Sequence, residues 1–167
     1  MNPETNPLGQ LLGEHEHALA EALAEALTRS SASRYRCLDR RLLRQWTGGA
    51  VRALIESTDR DPATMVSHVE QLTAERIAAG FRLEDVQLAL TLLERSCWHL
   101  LVAHLAAPEL TWELGRLTEA IGTAKDHLAR RYVQALEAGG AKADPRPLCP
   151  SALFQVLADS AEPFDRP

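Results

Sequence analysis

The stretch Glu75-Arg76-Ile77-Ala78-Ala79-Gly80-Phe81-Arg82-Leu83-Glu84-Asp85-Val86 decides the fold of this chain. Gly80 stands where a left-handed residue closes a helix, and Phe81 can fold back on the last turn. Glu84 and Asp85 suit the positive end of a following helix. The stretch therefore reads as a short corner between two antiparallel helices. The helix it launches, about 83–105, is the most apolar segment of the chain. Val86, Leu90, Leu93, Cys97, Leu100 and Leu101 form one face, and Leu88 and Leu92 add a second. A helix apolar on two sides belongs in the middle of a bundle.

Working back from the corner, Asp61-Pro62 is a helix start, because Asp caps free N–H groups and Pro tolerates the first helical position. The helix it begins runs to about Ala79. Val66, Val69, Thr73, Arg76 and Ile77 share a face, with the Arg stem lying along apolar surface. A helix over 34–57 carries Leu38, Leu42, Trp46, Ala50, Ala53 and Leu54 as its stripe. Gly48-Gly49 interrupts it, so the helix either kinks or receives a neighbour close to bare backbone. The first helix spans about 8–27, with Leu12, His15, Leu19, Leu23 and Ala26 in line, and 28–33 reads as a connection.

Working forward, Ala107-Pro108 breaks the apolar helix, and a last long helix covers about 108–137. Leu110, Leu114, Leu117, Ile121, Ala124 and Leu128 keep four-three spacing, a seam for a helix inside the chain or on a second subunit. Gly139-Gly140 ends it, and 141–150 is a Pro-rich linker. Ser151 can cap a short amphipathic turn with Leu153, Phe154 and Leu157, a motif that docks either on its own bundle or in a partner's groove. The expected architecture is all-α: a single bundle of about five main helices over 1–138, the fourth central, with a linker and tail over 139–167. Globin-like packing is the alternative arrangement of the same helices.

Composition sets the limits of function. At 167 residues and 18.4 kDa the chain suits one domain, and 46% apolar with 25% charged residues is ordinary globular usage. A net charge of -5 argues against a nucleic-acid binder, which needs clustered Lys and Arg. Three cysteines without framework spacing point to a reducing cytosol. No signal peptide and no membrane-spanning stretch is visible. A cytoplasmic protein without nucleic-acid or membrane partners is expected.

Charge is unevenly placed. Residues 1–28 carry five Glu and no Lys or Arg, while 29–52 carry seven Arg against one Asp. The first two helices can therefore face each other electrostatically. Alternatively, Arg36, Arg40, Arg41 and Arg44 form a basic patch for an acidic protein or a phosphate group.

Catalytic chemistry finds no support. There is no Gly-rich phosphate loop, no nucleophile elbow and no carboxylate pair that stands out. His15 and His17 diverge on a helix and cannot converge on one ion. His99 and His104 lie beside Cys97 and Trp98, where an imidazole could ligate haem, but a core or rim histidine is the commoner arrangement. Cys37 and Cys97 read as small buried hydrophobes, and Cys149 as an exposed thiol in the linker whose Cys-Pro dipeptide is a weak haem signal. No catalytic residue, metal or cofactor is expected, and a haem or small-ligand sensor is the alternative reading.

The corner, followed by Leu88-Ala89-Leu90-Thr91-Leu92-Leu93-Glu94-Arg95, resembles the N-terminal helical sensory domain of RsbRD-type RsbT co-antagonists. In that group an Arg-x-x-x-Gly-Phe corner joins two helices and a Leu-Leu-x-Arg run follows. The similarity covers about Arg40 to Leu136. It implies a cytosolic helical signal-input module and makes a homodimer the expected assembly. The family's module usually precedes an output domain such as a STAS domain. Only about 30 residues follow the last helix here, so no phospho-acceptor role carries over. The expected function is a non-catalytic regulatory module acting by self-association and protein partner binding. The surfaces expected to carry it are Arg36, Arg40, Arg41 and Arg44, the seam at Leu110, Leu114, Leu117, Ile121 and Leu128, and the tail motif.

Overall fold

A computed structural model describes residues 6–30, 34–59 and 63–138. The chain forms α1 (Pro7–Glu14), α2 (Glu16–Arg29), a 3-10 turn (Arg34–Cys37), α3 (Arg40–Asp59), α4 (Ala63–Ala78), α5 (Leu83–His104) and α6 (Ala107–Glu137). The architecture is an all-α bundle, with no strand among the described residues. Residues 139–167, and with them the tail motif Leu153, Phe154 and Leu157, lie outside the described residues, as does the Asp61-Pro62 start signal.

The expected first helix is two. His15 leaves helical geometry at φ -112 and ψ 12, ending α1 and preceding α2. Gly13 weakens the helix just before it. The start of α1 is held elsewhere: Asn6 caps Gly9 N–H at 3.2 Å and donates to the Thr58 carbonyl at the end of α3. Arg116 of α6 donates to both Asn6 Oδ1 (2.6 Å) and Thr58 O (2.7 Å). Leu8, Leu12, Leu19 and Leu23 nevertheless stay on the core side through the break.

The second expected helix starts later than 34. Asp39 Oδ1 accepts the Arg41 and Leu42 N–H groups at 2.8 and 3.3 Å, so Asp39 is the cap of α3. Cys37 therefore ends the preceding 3-10 turn and is exposed, a correction to its expected burial; Cys97 is buried as expected. Across Gly48-Gly49 the helix is continuous. Its neighbour there is α4, with His68 Cε1 only 3.5 Å from where a Gly49 Cβ would stand.

The corner forms as expected. Gly80 has φ 74, Phe81 N–H reaches the Arg76 carbonyl (2.8 Å) and Gly80 N–H the Ile77 carbonyl (3.0 Å), the paired bonds of a Schellman ending. Asp85 then caps α5 by accepting the Arg82 N–H at 3.0 Å. The two apolar sides of α5 meet different neighbours, α2 and α6. Lys125 Nζ clamps Glu94 Oε2 at 2.6 Å across the second of these contacts. Thr91, Arg95, Trp98, His99 and Val102 form the outer, exposed side of α5. Helix α6 packs along α4 and α5 and touches α3, and through it the bundle closes.

Candidate functional site

Four elements converge beside the Gly80 corner. The 3-10 turn contributes Arg34 and Tyr35, α3 contributes Trp46, α4 contributes Arg76 and α6 contributes Tyr132. Arg34 Nη1 donates to the Gly80 carbonyl at 2.7 Å, and its backbone N–H reaches Asp85 Oδ1 at 3.3 Å. Tyr132 donates its hydroxyl proton to the Phe81 carbonyl at 3.2 Å. The corner's free carbonyls are thus taken by the turn before α3 and by α6.

Arg76 is the centre of this junction. Its side chain is 1% exposed, so the guanidinium is buried along with the stem. The guanidinium carbon lies 3.2 Å from the Trp46 ring centroid and 5.7 Å from that of Phe81. Tyr35 hydrogen-bonds the guanidinium and packs on Phe81 with ring centroids 4.8 Å apart. Nη1 approaches Glu75 Oε2 at 3.5 Å, close enough for charge attraction but without hydrogen-bond geometry; Nε also has no hydrogen-bond partner. A desolvated cation over an indole face is worth roughly 2 kcal/mol, which offsets part of the cost of burying it. Burial lowers the Arg76 pKa, and the Tyr35 hydroxyl is its main counterweight. Burial likewise raises Tyr35 and Tyr132, keeping both phenols protonated. Next to Gly49, His68 is lowered, first by burial and then by the Arg76 charge, and its buried Nε2 has no partner.

The arginines of residues 29–52 outside this junction divide into two groups. Arg44 pairs with Glu21 at 2.7 Å and Arg52 with Glu16 at 3.4 Å, so α2 and α3 do face each other through opposite charges. Arg29 pairs with Glu25 within α2 at 3.1 Å. Arg36, Arg40 and Arg41 are exposed and have no ion pair among the described residues. Between α2 and α3 runs a groove of about 390 Å³, floored by Ala24 and Leu43 and rimmed by Arg29, Arg40 and Arg44 with the paired Glu21 and Glu25.

The leucine seam of α6 is not a surface. Leu117, Ile121, Ala124 and Leu128 are fully buried, and Leu110 and Leu114 pack half-buried against the same core. Their partners are α4 and α5 of the same chain, which corrects the seam as an interaction surface. The exposed apolar residues lie elsewhere: Trp112 (66%), Val133 and Leu136 on the opposite side of α6, and Trp98 and Val102 on α5. Sequence reading missed them because an isolated exposed apolar residue looks the same as a buried one in a periodic pattern.

The histidines considered for haem sit at the surface. His99 and His104 are both exposed, and the His104 ring rests 5.0 Å from that of His15, with Nδ1 bonded to the Leu100 carbonyl at 2.9 Å. Cys97 is enclosed, its thiol pushed up to about 12 by burial. Cys149 lies outside the described residues. Among the described residues no three His, Cys, Asp or Glu side chains are placed to hold a metal ion, and no helix is long and apolar enough to cross a membrane.

A family model described as the RsbT co-antagonist protein rsbRD N-terminal domain matches residues 17–145. No curated protein and no solved structure matches the chain.

Proposed function

The chain belongs to the RsbT co-antagonist RsbRD N-terminal domain family, a regulatory family rather than one of enzymes, and on that premise we propose that it is a non-catalytic signal-input module that self-associates through the outer face of α6. The observation that carries this is the stripe Trp112, Gly115, Glu119, Gly122, Asp126, Ala129, Val133 and Leu136. It repeats at three and four residues on the side of α6 away from the buried seam, and its large apolar members are half or more exposed. A Cβ placed at Gly115 or Gly122 meets nothing within 4 Å, so packing inside the chain does not require either glycine. Each costs the helix roughly 1 kcal/mol. A second α6 seated on the stripe supplies the reason for both.

Charge selects the direction of pairing. Parallel copies set Glu119 against Glu119 and Asp126 against Asp126. Antiparallel copies set Trp112 against Leu136 of the partner subunit and Glu119 beside Arg130 of the partner subunit. Like charges at close quarters destabilise, so the antiparallel arrangement is favoured. Protein partners then read the assembled dimer through surfaces outside α6, with Arg36, Arg40 and Arg41 as the basic one.

Light scattering at micromolar concentration tests this. The expected mass is about twice 18.4 kDa, falling to the single-chain value in Trp112→Asp with helicity unchanged. A monomeric parent, or a Trp112→Asp variant that stays dimeric, overturns the proposed interface.

A further inference from the structure

The unpaired arginines and the groove beside them have a candidate occupant within the sequence. We propose that the groove between α2 and α3 is the docking surface for an acidic, amphipathic segment of this same chain, residues 148–165. This goes beyond self-association, stands on residues outside the α6 stripe, and gives the basic surface that a partner would read to a segment of the chain itself.

The groove has the chemistry of a peptide site. Its floor is apolar at Leu43 and Ala24, and its two carboxylates, Glu21 and Glu25, are already paired with Arg44 and Arg29. Arg40 on its rim, with Arg36 and Arg41 nearby in sequence, supplies positive charge that nothing among the described residues neutralises. The segment is the complement. Between Pro147 and Asp165 there is no Lys or Arg, while Asp159, Glu162 and Asp165 are acidic. Leu153, Phe154 and Leu157 fall at helical spacing, an apolar face for the groove floor. Asp159 and Glu162 follow directly in sequence and supply the charge opposite to that of the rim.

The last turns of α6 and the turn that leads into α3 meet at one corner of the bundle. Tyr132, in the last two turns of α6, bonds the Phe81 carbonyl. Phe81 packs on Tyr35, and Tyr35 precedes Arg36 in the turn that leads into α3. Helix α6 thus nears its end at the same corner from which the turn carrying Arg36 sets out. Fifteen residues separate Glu137 from Leu153, about 50 Å at full extension, so reach does not limit docking. Tethering replaces a bimolecular encounter with a millimolar effective concentration, enough for a modest contact to be occupied.

Two native thiols report on the contact. Cys37 is exposed and lies three residues before Arg40, while Cys149 precedes Leu153 by four. Cys97 is buried and does not compete. The full-length protein, dilute, is treated with a short bis-maleimide, and the rate of intramolecular Cys37–Cys149 linkage is followed by peptide mass spectrometry. Docking predicts linkage about tenfold faster than in Arg40→Glu/Arg41→Glu or in Leu153→Asp/Phe154→Asp. Adding Asp159→Arg/Glu162→Arg to the arginine variant restores the rate. Equal rates in parent and variants, or linkage only between chains, overturn the proposal. Arg40 and Arg41 are exposed, so their reversal leaves the fold intact, which helicity confirms.

Discussion

The guanidinium carbon of Arg76, a side chain only 1% exposed, lies 3.2 Å from the centroid of the half-buried Trp46 ring. This relationship ties α4 to α3 at the point where α4 turns into α5. It also states what the corner demands of position 76. The side chain must be flat, able to stack, and able to meet the Tyr35 hydroxyl.

Lysine at 76 keeps the charge and loses the plate. Its compact, strongly hydrated ammonium cannot spread over Trp46, so the burial cost remains while the stacking goes. Methionine loses the charge and keeps apolar contact with both rings. Arg76→Lys is therefore expected to lower stability by about 2–3 kcal/mol and Arg76→Met by less, since replacing a buried ion with a hydrophobe is often tolerated. Urea denaturation of both variants decides it. A lysine variant as stable as the parent would show that stacking on Trp46 contributes nothing.

The corner's other requirement is at Gly80, the one described residue with a positive φ. An L side chain in that conformation costs roughly 1–2 kcal/mol. Gly80→Ala should lower the urea midpoint accordingly, while Gly80→Asn, which tolerates the left-handed region better, should lose less. Equal losses would place the penalty in side-chain packing rather than in the backbone.

The corner was legible in the sequence because a left-handed glycine followed by an aromatic is a local signal. Helix α5 was legible because its two apolar sides are fixed by composition. The charge asymmetry of residues 1–52 announced that the first two helices could face each other electrostatically, which the Arg44–Glu21 and Arg52–Glu16 pairs do, but not which residues would pair. Three things were hidden, each for a physical reason. The break at His15 keeps the apolar stripe in register, so periodicity runs straight through it. The burial of Arg76 runs against the usual exposure of arginine, and only the arrival of Trp46, Tyr35 and Phe81 from three separate places makes it affordable. The seam of α6 announced that it would be buried, but spacing alone cannot say whether its partner belongs to the same chain.

His68 gives the bundle a pH dependence of defined sign. Its folded pKa is lowered by burial and by Arg76, with Glu56 opposing weakly. The unfolded chain therefore takes up a proton near pH 6.5 that the folded state refuses. Stability contributed by this group is complete above that pH and is lost as pH falls from 6.5 through the folded value. The loss is at most about 1.4 kcal/mol for each unit separating the two values. The stability of the parent minus that of His68→Gln should therefore fall as pH drops from 7 to 5. A difference that stays constant with pH would mean that the imidazole takes up its proton equally in both states.

Gly115 and Gly122 separate folding from assembly. In the single chain a methyl group at either position enters open space and improves helix propensity, by roughly 1 kcal/mol each. In a dimer packed on the outer face of α6 the same methyl groups stand between two backbones. The double variant Gly115→Ala/Gly122→Ala is thus expected to raise the stability of the isolated chain, read in a Trp112→Asp background that removes assembly. In the parent background it should raise the dimer dissociation constant at least about tenfold, equivalent to about 1.4 kcal/mol. Sedimentation over a concentration series measures the second effect. A more stable chain whose dimer is as tight as before would move the interface off these glycines, and the exposed side of α5 at Trp98 and Val102 would become the surface to test.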